Sequence, residues 1–327
     1  MPSLITLFSR KKREGVNSIE MVFSTIDNQL LSHTTIQLPY EGASPITLFK
    51  NILFAYRHKA DLNHITGDVH YIALGLGRST ILTIHDVQSA LRISNPLKRF
   101  YVKLFWFYLP ALIVKRITVI SEFTKTELLK LIPFAKNKIV VIHNAFNPTI
   151  GHVKKGINKR PVILHMGTKP NKNLERVLTA LNDIDCLLII IGKLTPKQSQ
   201  LLKVSCIDYE NYFDVNYTEI IKFYQRCDIV SFPSTYEGFG VPILEANAAG
   251  RPILCGDINV LHEVAGKAAY FVNPTDVNEI KNGFIKLINN PELREELISY
   301  GLQNVKRFTP QAIAAQYNNL YNSILKE

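Results

Sequence analysis

"DIVSFPSTYEGFGVPILEANAAGRPILC", residues 228–255, reads as strand, tight glycine loop, helix and second strand in one continuous run. "DIVSF" (228–232) and "PILC" (252–255) are apolar segments of strand length. Between them, Pro242 stands where a helix starts, because a first-turn residue needs no N–H partner, and Gly250 stands where the chain leaves it. Glu237 therefore falls in the strand-to-helix loop and Glu245 within about the first helical turn. Gly238 and Gly240 let backbone approach a ligand closely, and a helix start offers unpaired N–H groups to anionic or hydroxyl oxygens. A carboxylate accepts from two neighbouring hydroxyls, as on a ribose or hexose. The loop thus reads as a cradle for a phosphorylated, hydroxyl-rich ligand. An ordinary helix start, with glutamates favouring the macrodipole, accounts for the same residues, and these residues alone leave both readings open.

Working outward, strand-like runs alternate with amphipathic segments along the whole chain, the pattern of parallel sheets covered by helices. The first half offers strands at 3–7, 34–38, 69–74 ("VHYIAL"), 80–84, 117–120 and 139–142; the second offers 162–166, 186–191, 228–232, 252–255 and 268–272. After Ser121, "TKTELLKLI" reads as a helix opened by a Thr124 to Glu127 capping box. The stretch 144–161 has no clean period and is rich in turn formers and charge. The expected organisation is an α/β chain of two Rossmann-like, doubly wound domains. The first spans 1–148, a linker 149–160, the second 161–308, and a closing helix 309–327 packs back toward the first. Two such sheets would place a ligand between them, at the carboxyl ends of their strands.

Composition narrows the class. With 46% hydrophobic and 20% charged residues, the 327-residue chain is that of a folded globular protein large enough for two cores. Of the net charge of +11, residues 1–150 carry +9. That field suits anionic lipid or an acidic acceptor; without a recognisable module it does not suit nucleic acid. Cys186, Cys206, Cys227 and Cys255 form no CxxC pair and read as small residues of a reducing compartment. The start of the chain lacks the order of a secretory signal, and the apolar run 104–114 is too short to cross a bilayer, so a cytoplasmic location is expected. A dinucleotide fold would need G-x-G-x-x-G after a strand. Gly15 is alone after the first strand, and "GLGRST" (75–80) leads into a strand instead.

"FPSTYEGFGVPILEANAAGRPIL" (232–254) closely resembles the nucleotide-sugar signature of the retaining GT-B glycosyltransferases of family 4, the "glycosyl transferases group 1" type. "HEVAGKAAYFVNPTD" (262–276), "RFTPQAIAAQYNNLYNSIL" (307–325) and "HMGTKPNKNLERVLTAL" (165–181) are similar to its further donor-side segments. "ILTIHDV" (81–87) and "ITVISEFTKTELL" (117–129) are similar to its acceptor-side ones, so the resemblance covers nearly the whole chain. It implies two domains facing across a cleft. It also implies transfer of a hexose-type sugar from a nucleoside-diphosphate sugar to a glycan or lipid-linked acceptor, with retention, without metal and without a cofactor. Carried over, Glu245 would hold the donor ribose, and Glu237, with backbone at Gly238, Phe239, Gly240 and Val241, the transferred sugar. Lys172 would face the diphosphate and His85 the sugar. The catalytic set is then His85, Lys172 and Glu237; the donor-binding set adds Gly15, Thr168, Lys169 and Glu245.

Two positions depart from the family pattern. Thr168 stands where an arginine is usual, with Lys169 next to it, and a lysine is not a bidentate fork. Gly15 stands alone where paired glycines are common. "DID" (183–185) matches a metal-binding triplet of the other large glycosyltransferase fold but precedes its strand, at the wrong end. The run 98–116, basic at both ends and apolar between, reads either as a segment resting on an anionic inner membrane face or as a buried helix. The alternative function is a non-catalytic GT-B subunit that binds nucleotide sugar or a partner.

Overall fold

The computed structural model describes residues 5–11, 22–87 and 93–326. The chain divides into two compact units, Met1–Ala145 with Pro310–Glu327, and Phe146–Thr309.

In the first unit β1 (Ile5–Ser9), β2 (His33–Gln37), β3 (Leu62–Ile65), β4 (Thr80–Ile84), β5 (Arg116–Val119) and β6 (Ile139–Val141) form a parallel sheet in the order β2-β1-β3-β4-β5-β6. The segment 69–74, expected as a strand, is instead helical over His70–Leu76, and β3 is the polar-looking "LNHI" before it. A short apolar run buried on every side carries no period to separate strand from helix. The strand was hidden because its interior residues are Asn63 and His64. Both are fully satisfied: Asn63 bonds the carbonyls of Ala60 and Ser79, while His64 Nδ1 and Nε2 meet Tyr321 Oη and Thr83 Oγ1, each at 2.7 Å. Burial holds the His64 imidazole neutral, its pKa lowered to about 3. Tyr321 lies on the helix Pro310–Leu325, whose Ile313, Ala314 and Tyr317 pack on Ile5, Leu7, Leu62 and Ile81 of this sheet.

The segment 98–116 is helical from Pro96 to Ile113, with a wide π turn at Lys103–Tyr108. Pro110 has no N–H to give the Trp106 carbonyl one turn back; the His70 ring nitrogen Nδ1 donates to that carbonyl instead, at 2.7 Å. The helix after β5 starts one turn earlier than the expected capping box. Ser121 is its N-cap, accepting from Thr124 N, and Glu122–Leu131 is helical.

The second unit is built alike. β7 (Val162–Met166), β8 (Leu187–Ile191), β9 (Asp208–Tyr212), β10 (Ile229–Phe232), β11 (Ile253–Gly256) and β12 (Tyr270–Val272) lie parallel in the order β12-β11-β10-β7-β8-β9. β9, "DYENY", had no strand signal because it is a polar edge strand. β7 is flanked by β8 and β10, so the order reverses there and leaves a crevice at the carboxyl ends of β7 and β10, where doubly wound sheets bind ligands.

Candidate functional site

Two loops leave that crevice. The first follows β7: Gly167 has φ +93°, and a Cβ there would meet Lys172 Cγ at 2.9 Å, so the lysine stem lies folded against the glycine. A single 3-10 turn, Pro170–Lys172, then leads to Asn173 in the left-handed conformation and to the helix Leu174–Leu181. The second loop follows β10 and ends at Gly240, φ +121°, which opens the helix Val241–Ala249. A Cβ on Gly240 would meet Leu261 Cδ2 at 2.9 Å, so conformation and space both require glycine.

Asparagines tie the loops together. Asn173 Nδ2 donates to the carbonyls of Pro233 and Pro274, at 3.0 and 2.6 Å. Asn171 Nδ2 donates to the Tyr236 carbonyl at 2.9 Å, and Thr235 N donates to the Asn171 carbonyl at 2.9 Å. The consequence is the central contact of the site: Lys172 Nζ donates to Glu237 Oε1 at 2.6 Å, with the ammonium 4.7 Å from the centre of the Phe232 ring. Both side chains are mostly buried, so the pair is desolvated and its orientation fixed.

Glu245 lies beyond the first helical turn rather than within it, and is buried. Its Oε1 accepts from Tyr217 Oη at 3.1 Å and its Oε2 from Tyr224 Oη at 2.8 Å. Burial raises its pKa, and the two hydroxyls act against that shift by solvating the anion. The tyrosines come from the helix Tyr217–Arg226, for which the chemistry-bearing motifs gave no signal. The fitting signal was the i, i+7 spacing of two tyrosines on an amphipathic helix that runs into β10.

The remaining expected residues separate in role. The Thr168 hydroxyl donates to the Lys193 carbonyl at 2.6 Å, and its own carbonyl accepts from Gln198 Nε2 at 2.9 Å, so its side chain serves the loop's geometry. Lys169 is exposed one residue on, and its carbonyl accepts from Lys172 N at 2.8 Å. The Phe239 side chain is buried 5.9 Å from the Phe308 ring, and Val241 is the first helical residue. Gly15 lies outside the described residues. Asp183 and Asp185 of the "DID" triplet are paired with Lys281 and Arg160, at 2.8 Å each, between the helix Leu174–Leu181 and β8.

His85 belongs to the first unit, directly after β4. It is buried, and its Nε2 donates to the Thr66 carbonyl at 2.8 Å, which makes Nδ1 the accepting nitrogen. Burial lowers its pKa, so the ring is neutral near pH 7. The same unit holds a cavity of about 320 Å³ at the carboxyl ends of β1, β2 and β3, lined by Ser9, Arg10, Asp27, Thr35, Gln37 and Thr66 among others. The buried Arg10 guanidinium lies 3.3 Å from Asp68. No expectation from the motifs pointed to this cavity, because its residues are spread over three strand ends.

Comparison with known proteins agrees with the motifs. Residues 150–304 match the family model "Glycosyl transferases group 1", and the adjoining residues 29–149 match "Glycosyltransferase Family 4". The O-antigen chain mannosyltransferase RfbU of Salmonella typhimurium is 25% identical over 252 residues, covering 72% of this chain and 70% of that protein. An uncharacterized glycosyltransferase of Methanocaldococcus jannaschii is 26% identical over 250 residues, covering 75% of this chain and 68% of that one. Among solved structures, Anabaena HepE in complex with UDP-glucose superposes with a TM-score of 0.79 at 16% identity, over 97% of this chain and 99% of that one, a likeness of fold. With its two parallel six-stranded sheets, its signature loop at the switch point of the second, and family models running without a gap from residue 29 to residue 304, the chain belongs to the GT-B glycosyltransferases of family 4, the group 1 type.

Proposed function

We propose that the enzyme moves a hexose-type sugar from a nucleoside-diphosphate sugar to a glycan or lipid-linked acceptor, with retained anomeric configuration and without a metal ion. The observation that carries this reading is the Lys172–Glu237 pair, 2.6 Å apart at the carboxyl ends of β7 and β10. Breaking the bond between the anomeric carbon and the diphosphate oxygen leaves negative charge on the diphosphate and positive charge on the sugar. A lysine beside a glutamate offers one partner for each. An ammonium has three donors, so Lys172 can keep Glu237 and still bind a phosphate oxygen, with Lys169 adding exposed charge nearby. These cations give the leaving group its charge partner, while the carboxylates of "DID" are committed to Arg160 and Lys281.

Glu245 suits a ribose. Each of its oxygens already accepts one tyrosine hydroxyl and keeps a second lone pair for a 2′- or 3′-hydroxyl. Glu237, with the backbone from Gly238 to Val241, would hold the transferred sugar; in the first unit, neutral His85 offers Nδ1 as an acceptor for a sugar hydroxyl. The acceptor hydroxyl would attack on the face the diphosphate leaves, passing its proton to the departing oxygen. The polar cavity at the ends of β1, β2 and β3 has the size and hydroxyl-binding groups for a sugar of the acceptor. RfbU is described as an O-antigen chain mannosyltransferase and HepE was solved with UDP-glucose, which supports both the glycan class and the donor class.

The test is thermal unfolding with UDP, GDP, ADP and TDP and their common sugar conjugates. Donor at about a hundred times its dissociation constant stabilises the fold by roughly 2.7 kcal/mol. One base should raise the midpoint, and the matching conjugate should be turned over by the wild type about a hundredfold or more faster than by Lys172→Ala. Stabilisation without turnover on any acceptor would favour the non-catalytic reading. No stabilisation by any nucleotide would remove the donor assignment.

A further inference from the structure

The helix Pro45–Arg57 buries only part of its surface. Leu48, Asn51 and Ala55 are buried, and Ile52 and Phe54 pack on the same core. Ile46, Phe49, Leu53 and Tyr56 point the other way, with Ile46 69% and Phe49 67% exposed. Spaced i, i+3, i+7 and i+10, they form one stripe along the helix. The helix Pro96–Val102 adds Leu97, 81% exposed, and Phe100, 65% exposed. The two elements abut, since the Tyr101 hydroxyl donates to the Ala43 carbonyl at 3.1 Å, just before the first helix begins. Folding has no use for these six side chains in water, and an apolar face of this kind marks a contact surface.

The two helices themselves carry basic residues and no acidic one, with Glu41 and Asp61 just outside the first. Residues 42–60 contain Lys50, Arg57 and Lys59 and no carboxylate. From Asp86 to Glu122 there is likewise no acidic residue, while Lys98, Arg99, Lys103, Lys115 and Arg116 fall within that interval. Lys50 and Lys59 lie over the rings of Tyr40 and Tyr56, 5.3 and 4.6 Å from their centres, so cation and apolar ring share the same surface. A second copy of the chain laid on this face would set the helices' cations, Lys50 and Arg57 with Lys98 and Arg99, against their own kind. A nucleic acid would meet protruding aliphatic tips rather than a basic groove. An anionic bilayer answers both features, apolar tips entering the acyl boundary and ammonium groups remaining among the headgroups.

We infer that the face formed by Ile46, Phe49, Leu53 and Tyr56 with Leu97 and Phe100 docks on the surface of an anionic lipid bilayer. It lies in the first unit and stands independently of the donor assignment, whose Lys172, Glu237 and Glu245 lie in the second. The apolar run 104–114 is not its centre, because Phe107 and Ala111 are buried in the core and Phe105 and Trp106 pack against it.

The experiment is flotation of the full chain with vesicles of phosphatidylcholine alone and of phosphatidylcholine mixed with phosphatidylglycerol. The wild type should float with the mixed vesicles at low salt, be released by high salt, and stay behind with phosphatidylcholine alone. The pair Ile46→Ser and Phe49→Ser should weaken vesicle binding about tenfold or more, and Lys98→Glu with Arg99→Glu should remove the preference for phosphatidylglycerol. Both variants should keep the wild-type thermal midpoint and nucleotide stabilisation, which shows that they fold. A wild type that never floats, or a serine pair that floats equally well, overturns the inference. So does a concentration-dependent dimer dissolved by the serine pair, which would assign the face to a second copy. Loss of nucleotide stabilisation with vesicle binding intact counts against the donor site alone.

Discussion

Replacing Tyr224 with phenylalanine removes one oxygen and leaves Glu245 Oε2 without the 2.8 Å donor it has in a fully buried setting. A hydrogen bond to a charged group is worth about 1.5–3 kcal/mol, and a neutral one about half that. The ionised form of Glu245 therefore loses about 1–1.5 kcal/mol more than the protonated form, which raises its pKa further. The folded pKa is already raised by burial, so donor binding that needs the carboxylate is lost as pH falls through that value. In Tyr224→Phe the loss should begin at a higher pH, with donor affinity about tenfold weaker on the acidic side and near wild type at high pH. Tyr217→Phe, whose bond is 3.1 Å and whose ring is less buried, should show the same displacement to a smaller degree. Titration calorimetry of the donor nucleotide between pH 5 and 9 reads both effects, and Glu245→Gln sets the limit of a carboxylate lost at every pH. A uniform loss of affinity with no change in the pH midpoint would mean that the tyrosines only shape the pocket, and the reasoning fails.

Acid should destabilise the protein well above the carboxylate range. His64 and His165 are held neutral by burial with pKa values lowered to about 3, and His70 to about 4, so the unfolded chain takes up their protons first. Stability is lost as pH falls below about 6.5, by about 2 kcal/mol for each histidine at pH 5. Urea midpoints that stay flat between pH 7 and 5 would contradict this. Gly250→Ala places a side chain at φ +69° with its Cβ against the His152 ring; a loss of about 1 kcal/mol is expected, against none for alanine at the exposed Gly151. Lys172→Ala should lower turnover about a hundredfold or more, while Glu245→Ala should act chiefly on donor affinity; unchanged kinetics in both variants would remove them from the site.

The parts of this protein legible in its sequence are those where local chemistry and tertiary role agree. Apolar runs such as "LLIII" at β8 announce a central strand because burial on both faces needs nothing else. The glycine loop before the helix Val241–Ala249 is equally legible: Gly240 and Pro242 are dictated by backbone geometry that any reader of the chain can reconstruct. β3 was illegible for the opposite reason. His64 is tolerable in a sheet interior only because Tyr321, 257 residues away, supplies a partner, and no window of sequence contains both. The site divides in the same way. Lys172 and Glu237 stand in separate loops, and resemblance named both, while their contact appears only in the structure. The hold of Asn173 on the Pro233 and Pro274 carbonyls, which keeps the two loops in register, exists only in three dimensions.

Asn173 has φ +67°, a conformation asparagine tolerates and most residues do not, and its side chain donates to two carbonyls while accepting from Arg176, so neither glycine nor aspartate replaces it. Glycine keeps the backbone and loses all three bonds; aspartate keeps the shape but sets an acceptor oxygen, in place of the amide donor, against two carbonyl oxygens. Either change should leave Lys172 and Glu237 present but unpaired. Donor affinity should then fall by more than the stability lost, because a site misplaced by 1 Å loses its chemistry before the fold is affected. Comparable losses in the urea midpoint and in donor affinity for Asn173→Gly would show that the asparagine holds the fold and not the site.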